Sequence, residues 1–277
     1  MTWGSWGKQL SKKEMEALMH HCLSNNITTF DHADIYGAYT TEADFGMAFG
    51  DSCIKREDIQ LISKCGIQYV CDNRDNKVKH YNYSKDYIIW SVEESLKNLN
   101  TDYLDLLLLH RPSPLMVAED IAEAITVLKK DGKIRDFGVS NFTPSQMEMV
   151  GLRIDIDVNQ VEFSLTQHAA MHDGTFNYMN AAGIKPMAWS PLGSVFREDN
   201  EQTRRIHKQL GVLMDKYNAT EDQLLLAWIL KHPSGIHPVV GTTNKDRLKQ
   251  AKEAAKISLE LEDWFSILVA SQEHKVP

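Results

Sequence analysis

Short β-branched and apolar runs alternate with amphipathic segments along nearly the whole chain, and this alternation restricts the fold more than any single motif. It is the pattern of parallel strands joined by crossover helices. Strands are expected at "ITTFD" (27–31), "IQLISK" (59–64), "YLDLLLLH" (103–110), "IRDFGVS" (134–140), "DVNQVE" (157–162), "IKPMAWS" (184–190) and "IHPVVGT" (236–242), and the short, Gly-rich "TWGSWG" (2–7) supplies an eighth. Helix signals fall between them. Ser11 with Glu14 three residues on forms a capping-box pair. Ile89, Val92, Leu96 and Leu99 make a stripe at three and four spacing that reads as core packing.

Eight such units close most economically into a (β/α)8 barrel of the TIM type, an α/β fold that takes residues 1–277 as one domain. The competitor is an open doubly wound sheet. If it bound a dinucleotide it would carry a G-x-G-x-x-G turn after an early strand, and none occurs; "GMAFG" (46–50) has the wrong spacing and reads as close packing within a helix. No stretch approaches the roughly 18 consecutive apolar residues of a membrane span, and the N-terminus lacks the apolar core of a signal peptide, so a cytosolic protein is expected.

The net charge of −8 argues against a broad nucleic-acid or anionic-membrane surface, because those partners reward clustered Lys and Arg. Cys22, Cys53, Cys65 and Cys71 show no C-x-x-C or zinc-knuckle spacing and are read as reduced structural thiols. The longest irregular stretch, "VCDNRDNKVKHYNYSKD" (70–86), is too polar for a core and is a candidate lid or substrate loop.

Polar residues collect at one end of the expected strands. Neighbouring parallel strands lie about 4.8 Å apart, so side chains at consecutive C-terminal ends surround one mouth. Asp31 and Tyr36 follow the second strand, Lys64 ends the third and His110 the fourth. Further round come Ser140 and Asn141, Gln160, Trp189 and Ser190, and the segment from Gly241 to Thr243. Singly, a Lys after a strand reads as a solvated rim charge, a His as an ordinary core or surface residue, and Asp31 with Asp34 as caps of the next helix. Together, Asp, Tyr, Lys and His on adjacent strands read as a site. A free phenol has a pKa of about 10, and a nearby ammonium favours its ionised form by Coulomb attraction. Lys64 can supply that charge, Asp31 can hold Lys64 protonated, and His110 can orient a carbonyl oxygen beside the Tyr36 hydroxyl.

With "FDHADIYG" (30–37), "SKCG" (63–66), "LLLLHRP" (106–112), "GKIRDFGVSNF" (132–142), "NQVEFS" (159–164), "AWSPLG" (188–193) and "GTTNKDRL" (241–248) in order, the chain resembles the aldo/keto reductase family over its full length, closest to the bacterial general NADPH-dependent oxidoreductases. The resemblance implies an enzyme that moves hydride from NADPH to an aldehyde or ketone. It makes Tyr36 the general acid, with Asp31, Lys64 and His110 completing a tetrad. Ser140, Asn141 and Gln160 would bind the nicotinamide carboxamide and Trp189 would stack on its ring. Ser190, Leu192 and Gly193 would cradle the pyrophosphate. Gly241, Thr242, Thr243, Arg247 and Gln250 would meet the adenosine end, with Arg247 on the 2′-phosphate, which implies NADP(H).

Two positions depart from the family's pattern. Many members have Lys where Gly241 stands, which implies a weaker preference for NADPH. Members also carry residues before the first strand, including a hairpin over the barrel bottom, whereas Met1 here stands almost at "TWGSWG"; the hairpin is expected to be absent.

A small carbonyl compound is the expected partner, with the 70–86 loop, "HRPSPLM" (110–116) and "SQEHKVP" (271–277) as candidate walls and Trp3, Trp6, Tyr81 and Trp264 as aromatic surface or core. Two other functions are weighed. A nucleotide-sensing regulatory subunit would keep the cofactor site and relax the tetrad, yet all four members are present. A metal-dependent barrel hydrolase would need converging ligands, but there is no H-x-H at a strand end and no H-E-x-x-H, and "HAAMH" (168–172) reads as a surface pair. Oligomeric state is left open.

Overall fold

The computed structural model describes residues 3–275 and divides into two compact units, Met1–Asn159 and Gln160–Pro277. The first unit opens on bends and turns, so the strand expected at 2–7 is corrected, its Thr2 lying outside the described residues. The Gly7 and Gln9 amides both donate to the Gly4 carbonyl, and the Leu10 amide donates to that of Trp3. These backbone groups are satisfied locally, and Gly-rich sequence gives a strand little side chain to pack. Trp3 joins the core against Phe30 and Phe45, whereas Trp6 is exposed and stands edge-on to Tyr69.

Helix α1 (Lys12–Ser24) starts at Ser11, whose hydroxyl accepts the Glu14 amide while the Glu14 carboxylate accepts the Ser11 amide. There follow β1 (Thr29–Asp31), the four-residue α2 (Tyr36–Tyr39), α3 (Thr41–Asp51), β2 (Gln60–Cys65), a small antiparallel pair β3 (Ile67–Gln68) and β4 (His80–Tyr81), α4 (Lys85–Leu99), β5 (Leu104–Leu109), α5 (Ala118–Lys130), β6 (Ile134–Ser140) and α6 (Pro144–Gly151). The main strands pair in parallel: Asp31 lies opposite Ile62, Lys64 opposite Leu108, and Leu109 opposite Val139.

That register brings the C-terminal ends of β1, β2 and β5 side by side. Leu106 to Leu109 are all buried because a parallel strand covered on both faces has no solvent side. Each such leucine contributes about 1.5–3 kcal/mol through burial. On α4 the buried stripe is Ile88, Val92, Leu96 and Leu99, so its first member is Ile88 and the expected Ile89 is only half-buried. Gly46 on α3 meets α4 so closely that an added Cβ would lie 2.0 Å from the Asn98 carbonyl oxygen, the close packing expected of "GMAFG".

Strand β7 (Val158–Glu162) leads into the second unit, which holds α7 (Thr175–Ala182), β8 (Lys185–Trp189), α8 (Glu201–Tyr217), α9 (Glu221–Leu230), β9 (His237–Pro238), α10 (Lys245–Glu253) and α11 (Leu261–Gln272). β9 pairs in parallel with β8 over two residues, and the Val239 amide adds one more bond to the Ala188 carbonyl. The strand expected over 236–242 is therefore much shorter, since Pro238 has no amide to give a ladder. Trp264 is a packing residue here: its ring stacks on Trp228 at 5.0 Å, and each indole N–H donates to the other's carbonyl. Among the described residues no helix is long and apolar enough to cross a membrane. The last two residues of the "SQEHKVP" segment lie outside the described residues.

Candidate active site

Past Asp31 the chain keeps the ladder for two more bonds, the His32 amide donating to Ile62 and the Asp34 amide to the Lys64 carbonyl, before turning to Tyr36. Lys64 is 1% exposed. Its ammonium donates to Asp31 Oδ2 at 2.7 Å and to the His32 carbonyl at 2.8 Å, and stands 3.5 Å from the Tyr36 hydroxyl, the outer limit of a hydrogen bond. Burial opposes the charge, but the Asp31 carboxylate and then Tyr36 outweigh it, so the Lys64 pKa lies above the ordinary ammonium value. His110 follows β5, and its amide donates to the Cys65 carbonyl. Its ring stands edge-on to that of Tyr36, with centroids 5.8 Å apart and planes at 81°. Burial, then the charges of Lys64 and Arg111, hold His110 well below the usual histidine pKa, leaving a neutral imidazole with one N–H to donate.

The first unit thus brings Asp31, Tyr36, Lys64 and His110 together. Beside them lie three buried polar residues to which the sequence reading gave no such place. Asp34 does not cap a helix: Oδ1 accepts from the Ile35 amide at 2.6 Å, and Oδ2 accepts from the Ser91 hydroxyl at 3.1 Å and the Tyr87 hydroxyl at 3.4 Å. Burial and then the Glu42 carboxylate push its pKa up to about 8. Glu42 on α3 accepts from the Ser63 hydroxyl, and burial pushes its carboxyl up to about 7. His32 packs edge-on to Phe45 at 4.4 Å, with no hydrogen-bond partner on either ring nitrogen among the described residues, and burial holds it neutral. One signal was available for Glu42, which shares a face with Phe45, Gly46 and Phe49 at spacings of three, four and seven. Cys65 is buried and its thiol is pushed well above the usual range by burial, an inert structural cysteine.

The expected cofactor residues are placed as follows. In the first unit Ser140 ends β6, buried, and Asn141 follows at φ 62°. In the second, Gln160 is buried in β7, Trp189 ends β8 half-buried, and the Ser190 carbonyl accepts the Gly193 amide at 2.8 Å. Gly193 has φ +55°, and a Cβ there would lie 2.1 Å from Thr166 Oγ1, so only glycine allows this tight turn past half-buried Leu192. Gly241, Thr242 and Thr243 run irregularly to Asn244, whose side chain accepts the Asp246 and Arg247 amides at the start of α10. Arg247 is exposed on the first turn, and Gln250, half-buried, follows on the same helix. Buried amide and hydroxyl groups at strand ends, a turn that only glycine permits and an exposed guanidinium at a helix start suit a carboxamide, a pyrophosphate and a phosphate monoester. Among the described residues no three His, Cys, Asp or Glu side chains converge as metal ligands.

Parallel strands joined by helices, with Asp31, Tyr36, Lys64 and His110 gathered at the ends of three of them, fit an α/β oxidoreductase. The sequence model described as "Aldo/keto reductase family" matches residues 1–269. The chain is 44% identical over 273 residues to the "Uncharacterized oxidoreductase YcsN" of Bacillus subtilis, covering 96% of this chain and 91% of that protein. It is 37% identical over 266 residues to a 6-dehydroglucose reductase of Agrobacterium fabrum, covering 93% and 87%. An aldo/keto reductase of Klebsiella pneumoniae, solved in complex with NADP and acetate, matches with a TM-score of 0.79 at 25% identity, covering 95% of this chain and 86% of that one. The chain belongs to the aldo/keto reductase family, and the expected fold class holds.

Proposed function

We propose that the chain reduces an aldehyde or ketone to the alcohol with hydride from NADPH, and that Tyr36 gives the carbonyl oxygen its proton. Family membership and the NADP held by the Klebsiella relative support the reaction class and the cofactor. The observation that carries Tyr36's role is the buried Lys64 ammonium, fixed by Asp31 and the His32 carbonyl and aimed at the Tyr36 hydroxyl.

Bound NADPH supplies the hydride. The Tyr36 O–H donates toward the carbonyl oxygen, and its proton moves as negative charge builds there. Lys64 stabilises the phenolate left behind, Asp31 keeps Lys64 charged and aimed, and the neutral His110 N–H orients the same oxygen. A positioned general acid is worth roughly 10²–10⁴ in rate. Ser140, Asn141 and Gln160 are assigned to the carboxamide, Trp189 to the ring, Ser190, Leu192 and Gly193 to the pyrophosphate, and Gly241, Thr242, Thr243, Arg247 and Gln250 to the adenosine end. The family match runs through both units, which supports reading 1–277 as one domain. A regulatory subunit without turnover is disfavoured by the intact tetrad.

The test is NADPH oxidation by the purified chain against a panel of aldehydes and ketones that includes 6-dehydroglucose, prompted by the Agrobacterium relative. Turnover should appear, and Tyr36→Phe should lower kcat by about 10²–10⁴ while NADPH binding, followed by fluorescence, stays within a few-fold. Undiminished turnover in Tyr36→Phe would assign the proton to another group.

A further inference from the structure

The residues just after Tyr36 have unusual backbone geometry. Gly37 (φ 62°, ψ 31°), Ala38 (φ 54°, ψ 47°) and Tyr39 (φ 71°) are consecutive left-handed residues, and two of them carry a Cβ. Such a turn persists only where its surroundings hold it. The local bonds are modest: the Thr40 hydroxyl donates to the Gly37 carbonyl at 2.9 Å, and the Tyr39 amide donates to Ile35 at 3.3 Å. The Thr40 amide adds a bond to the Tyr36 carbonyl at 3.2 Å, and the longer-range ties come from β3 and the residue after it, and from the start of the segment expected to form a lid (70–86). The Tyr39 hydroxyl donates to the Ile67 carbonyl at 3.1 Å and accepts the Tyr69 amide at 2.9 Å. The Asn73 side-chain amide donates to the Ala38 carbonyl at 2.8 Å. The Arg74 guanidinium lies over the Tyr39 ring at 4.4 Å and over the Trp90 ring of α4 at 4.5 Å. Asn76 donates to the Tyr69 carbonyl, completing the grip. The segment is itself fastened at its base, where the Asn82 amide donates to the Gly66 carbonyl at 2.9 Å and the Tyr83 hydroxyl donates to the Arg111 carbonyl.

We propose that Tyr39 is a positioning residue through which residues 67–76 clamp the left-handed turn and fix the Tyr36 hydroxyl against Lys64. The inference rests on Tyr36 being the proton donor. The segment thereby acts on the reaction from the protein side, through the backbone that carries Tyr36. Burial raises the Tyr39 pKa, so the phenol stays further from ionising than an ordinary one. Displacing a reacting group by about an ångström is worth up to about 10²-fold in rate, so loosening this clamp should be read in kcat.

The experiment is a double-mutant cycle with Tyr39→Phe and Tyr36→Phe, using 4-nitrobenzaldehyde as the probe carbonyl. Tyr39→Phe keeps the ring under Arg74 and removes only the bridging hydroxyl. It should lower kcat about tenfold with KM for the aldehyde and Kd for NADPH within about twofold. In the Tyr36→Phe background the same change should cost nothing further, because an effect exerted through Tyr36 cannot act once its hydroxyl is gone. Asn73→Ala, at an exposed position, should give a smaller loss of the same kind and serves if Tyr39→Phe does not fold. Unchanged kcat in both Tyr39→Phe and Asn73→Ala, or a full tenfold further loss in the double variant, overturns the clamp. Undiminished turnover in Tyr36→Phe alone overturns the proton-donor assignment and is read separately.

Discussion

Lys64 is a buried cation whose charge depends on its neighbours. It is almost fully buried yet held charged against that burial by Asp31 and then Tyr36, while the Asp31 carboxylate and the His32 carbonyl accept its hydrogen bonds from the strand end beside it. Removing one member of a buried pair leaves the other charge without compensation, at a cost of about 3–5 kcal/mol. Lys64→Met should therefore do two things: lower kcat by at least about 10²-fold, as Tyr36→Phe does, and lower the melting temperature, which Tyr36→Phe should not. Turnover assays and calorimetry on the two variants side by side separate these effects. Arg247 is the opposite case, an exposed guanidinium whose proposed role is to meet one phosphate. A charge-assisted hydrogen bond is worth about 1.5–3 kcal/mol, so Arg247→Ala should weaken NADPH binding by about 10- to 100-fold and leave NADH binding nearly unchanged. Equal losses for the two cofactors would refute the 2′-phosphate assignment.

Between elements, the contact of α3 with α4 at Gly46 leaves no space for a side chain. Gly46→Ala forces backbone apart, and overpacking of this kind costs about 1–3 kcal/mol. At roughly 2–4 °C per kcal/mol for a chain approaching this size, its melting temperature, followed by circular dichroism, should fall by several degrees. Elements were legible in the sequence where burial dictates composition. β6 falls on 134–140 as expected, and β5 follows from its leucine run, because a strand covered on both faces admits little else; β6 shows the same apolar run only after its exposed Arg135 and Asp136. Those whose geometry depends on the backbone were not. The turn at 3–8 closes on its own carbonyls, Pro238 ends the last ladder early, and the left-handed run Gly37–Tyr39 is held by residues some thirty positions away in the chain. The tetrad was visible because strand ends are shared positions in any parallel sheet. The burial of Asp34 depends on Ser91 and Tyr87 of a helix more than fifty residues on, which no local pattern announces.

Across the molecule, buried titratable groups pull stability in opposite directions with pH. His32, His110, His168 and His232 are all lowered from the usual histidine pKa of 6.5, chiefly by burial. On unfolding in acid they take up protons, so their contribution is full above about pH 6.5 and is lost as the pH falls. Asp34 and Glu42 are raised, to about 8 and about 7, from ordinary values of 3.8 and 4.5. The folded chain holds these two protons where the unfolded chain has released them, so their contribution is full below the ordinary carboxyl range and declines as the pH rises toward 7 and 8. The two sets oppose each other below pH 6.5. His207 is also raised, by its bond to Glu221, but it is partly exposed and adds little to a decline of the same sign. Between pH 7 and 8 Glu42, half-ionised at about pH 7, loses the rest of its proton while the unfolded histidines shed the last of theirs, two changes of opposite sign that partly cancel, which leaves Asp34 as the main titrating group. One proton difference is worth about 1.4 kcal/mol per pH unit, so stability should fall by about 1 kcal/mol over that interval, or roughly 2–4 °C in melting temperature. Asp34→Asn cannot ionise, and its melting temperature should be nearly flat from pH 7 to 8 whatever its absolute value. A variant with the wild-type slope would mean that Asp34 is already ionised in the folded chain at pH 7.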